Sequence, residues 1–197
     1  MELTKGLVTR EELLDKLKKV ECACDRFLIL GIFEGMRGNF CSDFNNFHMY
    51  QFEDIGAAPD NHWVCLPGDR TIKVSDNLYD YAKEASDSDI VYTFSGNAEN
   101  VSGEPHPFAI SVVSDNYDDF NKIILTRLAK LRKKYGEPCF GLKALSESGR
   151  LNYIHEELGD KDITTYVADN HDDIMYVYGC FKNEKVTELY KEFYKVA

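Results

Sequence analysis

A chain of 197 residues, 44 % apolar and 13 % aromatic, is long and apolar enough to bury a core of its own, which excludes a disordered chain and a disulfide-stapled miniprotein. Its formal charge of −11 argues against direct nucleic-acid binding, which runs on phosphate neutralisation by Lys and Arg. The longest strongly apolar run, Phe27–Phe33, is too short to span a bilayer, and the charged N-terminus lacks the apolar stretch of a signal peptide. A soluble cytoplasmic protein with reduced cysteines and no membrane contact is therefore expected.

Along the chain, Thr9 and Glu12 form a capping-box pattern, and Leu13, Leu14, Leu17 and Val20 follow on one helical face, so a helix is predicted over 10–20. Arg26–Phe33 reads as a buried strand by length and composition, and His48–Glu53 as a strand within a Gly- and Asn-rich stretch. Trp63–Leu66, Pro67-Gly68 and Thr71–Val74 read as a hairpin, because proline pre-sets the turn and glycine supplies positive φ. A short helix over Asn77–Ala85 precedes strands at Ile90–Phe94 and Phe108–Val113, separated by a polar loop over 95–106.

The longest predicted helix is Asn116–Tyr135, ended by Gly136 and Pro138. A short helix over Leu151–Leu158, strands over Ile163–Ala168 and Ile174–Cys180, and an amphipathic helix over Asn183–Val196 complete the chain. Local hairpins rather than strict βαβ alternation predict an α+β fold. It would be a single domain over 1–197, with a mixed or mainly antiparallel sheet, about five helices packed on it, and helix 10–20 at its periphery.

Charge is spread unevenly. Residues 121–136 hold six Lys or Arg and no acid, which leaves a formal −17 on the rest of the chain. Cations at a helix C-terminus complement the macrodipole, as Asp115, Asp118 and Asp119 do at the other end, so this basic segment is explained by helix stability. The acids gather in four clusters: Asp87 and Asp89 after Tyr79 and Tyr81; Asp115, Asp118 and Asp119 around Tyr117; Glu156, Glu157, Asp160 and Asp162; and Asp169, Asp172 and Asp173. Spaced carboxylates imitate the phosphates of a duplex, and tyrosine is a favoured interface anchor.

These features predict an acidic protein-interaction module without catalytic residues. It would bind and inhibit or regulate a basic, nucleic-acid-handling protein through Asp87, Asp89, Asp115, Asp118 and Asp119, with Tyr79, Tyr81 and Tyr117 as anchors. The alternative is a small metal-assisted or carboxylate-based hydrolase or transferase, for which Asp169, His171, Asp172 and Asp173 form the densest run of possible ligands. That run lacks EF-hand spacing and falls at an expected hairpin tip, where Asn and Asp are favoured for backbone reasons. Cys22, Cys24, Cys41, His48, His62 and Cys65 do not give the two close pairs of a structural zinc site. No cysteine or serine lies in a nucleophile signature, and no glycine run cradles phosphate, so neither a metal nor a cofactor is expected.

Overall fold

A computed structural model of the protein describes residues 4–36, 55–58, 61–66, 70–100, 111–112 and 117–196. The expected His48–Glu53 strand lies outside the described residues. Among the described residues there are eight α-helices, a short 3-10 turn at Pro138–Phe140 and two three-stranded sheets. Helices outnumber the expected five, and small separate sheets replace the single sheet on which they were to pack.

Helix α1 (Arg10–Leu17) starts where its capping box says: the Thr9 N–H donates to Glu12 Oε2 at 2.8 Å, and the Glu12 N–H to Thr9 Oγ1 at 3.3 Å. Far from being peripheral, this segment drives Leu13, Leu17 and Val20 into the core.

The largest departure from expectation is Arg26–Phe33, which is not a strand. It belongs to α2 (Ala23–Phe33), buried at every position from Phe27 to Phe33. A segment buried on all sides has no polar face, so it shows no periodicity by which a helix and a strand could be told apart. α2 ends in a Schellman motif, with Gly35 at φ +88°, the Met36 N–H donating to Gly31 O at 2.9 Å and the Gly35 N–H to Ile32 O at 3.3 Å.

The expected hairpin is present. β2 (Asn61–Leu66) pairs antiparallel with β3 (Arg70–Val74) and with β1 (Ile55–Ala58), and Val64 faces Ile72 across the inner side. Helix α3 (Asp76–Ser86) follows, capped by Ser75 and burying Leu78, Ala82 and Ala85. In the second sheet β4 (Ile90–Tyr92) lies between β5 (Ala98–Asn100), antiparallel, and β6 (Ser111–Val112), parallel. β5 falls inside the segment expected to be a polar loop. Helix α4 (Tyr117–Tyr135) then runs 19 residues to Gly136, which takes φ +65°.

Helix α5 (Leu142–Leu158) starts nine residues before the expected helix and carries Gly149 in its interior. The two expected C-terminal strands are helices: α6 (Ile163–Asp169) and α7 (His171–Tyr178). β-branched residues favour strands in general, but Ile163, Tyr166 and Val167 are buried at helical spacing, and Asp162 caps α6 by accepting from the Thr165 N–H at 2.9 Å. Helix α8 (Asn183–Tyr194) closes the described fold.

α2 packs between α3 and α5, and α5 runs through both apolar clusters, contributing Leu145 to the first and Leu151 and Ile154 to the second. No helix among the described residues is long and apolar enough to cross a membrane.

Candidate functional site

The C-terminal end of α2 carries the chain's most constrained carboxylate. Glu34 is buried, and its Oε1 accepts from Arg10 Nη1 at 2.5 Å and from Ser75 Oγ at 2.6 Å, while Oε2 accepts from the Ser75 N–H at 2.8 Å. Arg10 reaches on with Nε to Glu156 Oε1 at 2.9 Å. The starts of α1 and α3 and the ends of α2 and α5 are thereby tied at one point. Two buried polar residues of α5 complete the tie: Ser148 Oγ accepts from the Val8 N–H at 3.0 Å, and Asn152 Oδ1 from the Arg10 N–H at 2.9 Å. Each satisfies a backbone donor that would otherwise be orphaned at the start of α1.

Burial pushes the Glu34 carboxyl above the ordinary glutamate value of 4.5, against the opposing pull of Arg10 and Ser75. The folded state therefore holds this proton more tightly than the unfolded chain. The contribution of Glu34 to stability falls as pH rises from the ordinary glutamate value through the raised one. Glu34→Gln should remove that slope from a urea-denaturation series taken between the ordinary value and neutrality. An unchanged slope would place the titration elsewhere.

Arg10, Glu34, Ser75 and Glu156 of this junction line a cleft of about 570 Å³, together with residues of β3, α5 and α7. Four carboxylates, Glu34, Glu156, Glu157 and Asp173, face two cations, Arg10 and Lys73. Arg10 is committed to Glu34 and Glu156, whereas Glu157 and Asp173 are exposed and make no ion pair among the described residues. Tyr153 lies within reach of both: its hydroxyl is pushed above the ordinary tyrosine value by burial, and further by Glu157 and Asp173. Tyr176 also lines the cleft, its hydroxyl accepting from the Thr71 N–H at 2.7 Å. The surrounding sequence, 153–176, holds seven acids and one lysine.

Of the residues singled out from sequence, Asp173 lines this cleft, and the expected partner-binding residues that are described fall elsewhere. Tyr79 and Tyr81 are half-buried on α3 and engaged: Tyr79 stacks on His62 with ring centroids 4.2 Å apart, and the Arg26 guanidinium lies 5.2 Å from the Tyr81 ring centre. Asp87 is exposed as the C-cap of α3, and Asp89 is half-buried just before β4. Asp119 lies in the first turn of α4, 3.5 Å from Lys122 Nζ. Tyr117 and Asp118 begin that helix, with side chains outside the described part, and Asp115 lies outside the described residues. Four of the six cations on α4 have internal partners: Lys122 with Asp119, Arg127 with Asp25, Lys130 with Asn97 and Lys134 with Glu21.

Asp169, His171, Asp172 and Asp173 span the α6–α7 junction rather than a hairpin tip. His171 Nδ1 is 2.7 Å from Asn183 Oδ1 and its ring lies against Phe181. Among the described residues no three His, Cys, Asp or Glu side chains come together as a metal site. Cys24 and Cys139 are buried, and burial pushes the Cys139 thiol up to about 11, away from nucleophilic use. Tyr153, Glu34 and Arg10 were not picked out from sequence. Arg10 reads there only as the first residue of a helix, and Glu34 only as a lone acid after an apolar run. No protein-family model matches the chain, and no curated protein matches it.

Proposed function

We propose that the protein is an acidic binding module whose docking site is the cleft between β3, α5 and α7, and that the cleft takes a lysine or arginine side chain from a basic protein. The observation that carries this reading is the pair of exposed carboxylates, Glu157 and Asp173, which make no ion pair among the described residues and line the same cleft as the half-buried Tyr153, close enough to act on its hydroxyl. An incoming cation meets two charges and an aromatic face, the combination that holds ammonium and guanidinium groups. The acid-rich stretch 153–176 adds long-range attraction, which steers a basic partner and weakens as salt rises. A nucleic-acid-handling protein presents such a basic surface, and occupying it inhibits or regulates that protein. A carboxylate-based hydrolase is less well supported, because Glu34, the buried carboxyl with a raised value, has both oxygens occupied.

The test is fluorescence anisotropy with an arginine-rich peptide at low and high salt. Saturable binding should weaken about tenfold in Glu157→Lys/Asp173→Lys, equivalent to about 1.4 kcal/mol, and remain in Asp87→Lys/Asp89→Lys. Equal loss in both pairs would reduce the interaction to net charge, and binding that follows Asp87 and Asp89 instead would move the docking surface to the end of α3.

A further inference from the structure

The first half of α5 faces a second cavity, also of about 570 Å³, whose charge is opposite to that of the chain as a whole. Four cations line it, Lys143 and Arg150 from α5 and Lys182 and Lys185 from the start of α8, against one acid, Glu147. Lys143 is 4.0 Å from Glu147, whereas Lys182 and Lys185 are exposed and make no ion pair among the described residues. The walls are apolar: Leu142, Phe181, Val186 and Leu189, the last two buried. Arg150 fixes one wall, donating to the Tyr178 carbonyl at 3.1 Å with its guanidinium 5.0 Å from the centre of the Phe181 ring.

Helix stability does not explain these cations. Lys143 is the second residue of α5, Lys182 is the N-cap of α8 and Lys185 its third residue. All three sit at the positive end of a helix dipole, where a cation is disfavoured. Neither helix has a side-chain cap at that end. In α4 the opposite holds, with Arg132, Lys133 and Lys134 at the favourable C-terminus. Positive side chains, positive helix ends and apolar walls on one cavity are complementary to a single kind of molecule. The volume suits a small organic ligand.

We infer that this cavity binds an amphiphilic small-molecule anion, with a phosphate or carboxylate head held by Lys143, Lys182 and Lys185 and an apolar body lodged against Leu142, Phe181 and Leu189. The site does not rest on the docking cleft, from which it differs in charge and in lining residues.

Titration calorimetry of the full chain with phenyl phosphate, inorganic phosphate and phenol tests it. One-site binding of phenyl phosphate is expected, with inorganic phosphate and phenol each at least about tenfold weaker, because each lacks one half of the recognised chemistry. Lys182→Glu/Lys185→Glu should weaken phenyl phosphate by about tenfold or more, Lys182→Gln/Lys185→Gln by less, and Lys133→Glu, which alters the other basic segment, should leave it unchanged. Both lysines are exposed, so far-ultraviolet circular dichroism should show the fold retained. Absence of saturable binding would overturn the inference. So would inorganic phosphate matching phenyl phosphate, or a loss in Lys133→Glu equal to that in the double variant.

Discussion

Gly149→Ala is expected to destabilise the protein by roughly 3 kcal/mol, the upper end of what added volume does in a packed interior. Gly149 lies inside α5 with ordinary helical backbone, where alanine in an open helix would gain up to about 1 kcal/mol. Here a Cβ would stand 1.8 Å from the Phe33 carbonyl oxygen and 3.0 Å from Tyr178 Cε1. The first neighbour is backbone at the end of α2 and cannot swing aside. It is held there by the Tyr178 hydroxyl, which donates to the same oxygen at 3.1 Å. Packing therefore wins over helix propensity, and the two effects have opposite signs, so urea denaturation decides cleanly. Gly136→Ala is the control: nothing lies within 4 Å of its Cβ, so only its φ of +65° is penalised, at about 1 kcal/mol. A Gly149→Ala variant as stable as the parent would refute the close approach of α2 and α5.

The second large effect is expected at Asp25. Its carboxylate is 1 % exposed in the first turn of α2. Oδ1 accepts from the Tyr92 hydroxyl at 2.7 Å and from Arg127 Nε at 2.8 Å, and Oδ2 accepts from Arg127 Nη2. Three elements, α2, β4 and α4, meet on this one group. Asp25→Ala strands a mostly buried guanidinium and a fully buried hydroxyl, and removal of one partner from a buried pair costs about 3–5 kcal/mol. A nearby pair with an exposed carboxylate sets the scale. Glu84→Ala, which removes the surface partner of Arg26, should cost no more than about 1 kcal/mol. Comparable losses for the two variants in thermal or urea unfolding would show that Asp25 is hydrated rather than enclosed.

Both predictions concern junctions where distant segments meet, and that is also where the sequence was least legible. The helices with their own punctuation could be located from it: α1 by Thr9 and Glu12, α3 by its apolar spacing after Ser75, α4 by its acids, cations and Gly136, and α8 by its amphipathic face. Segments buried on all sides or rich in β-branched residues could not. α2 carries no polar face, and α6 joins its Asp162 cap to Ile, Thr and Val residues that favour strands in general. The reason for a glycine at position 149, the Phe33 carbonyl, is 116 residues away in the chain and leaves no local signal.

The candidate site divides in the same way. Composition alone establishes the acid excess and places Glu156, Glu157 and Asp173 in acidic clusters. Their convergence with Tyr153 requires the end of α5 to pack beside the start of α7, a non-local contact. The tyrosines chosen by proximity to acids, Tyr79 and Tyr81, prove to be occupied by His62 and Arg26, partners that α3 acquires only on folding. Local patterning determined which segments cap, bury or repel, because those energies depend on neighbours a few residues away. Which carboxylates stay unpaired, and which cations share a cavity, was decided by tertiary packing, because charge pairing depends on distance in space rather than along the chain.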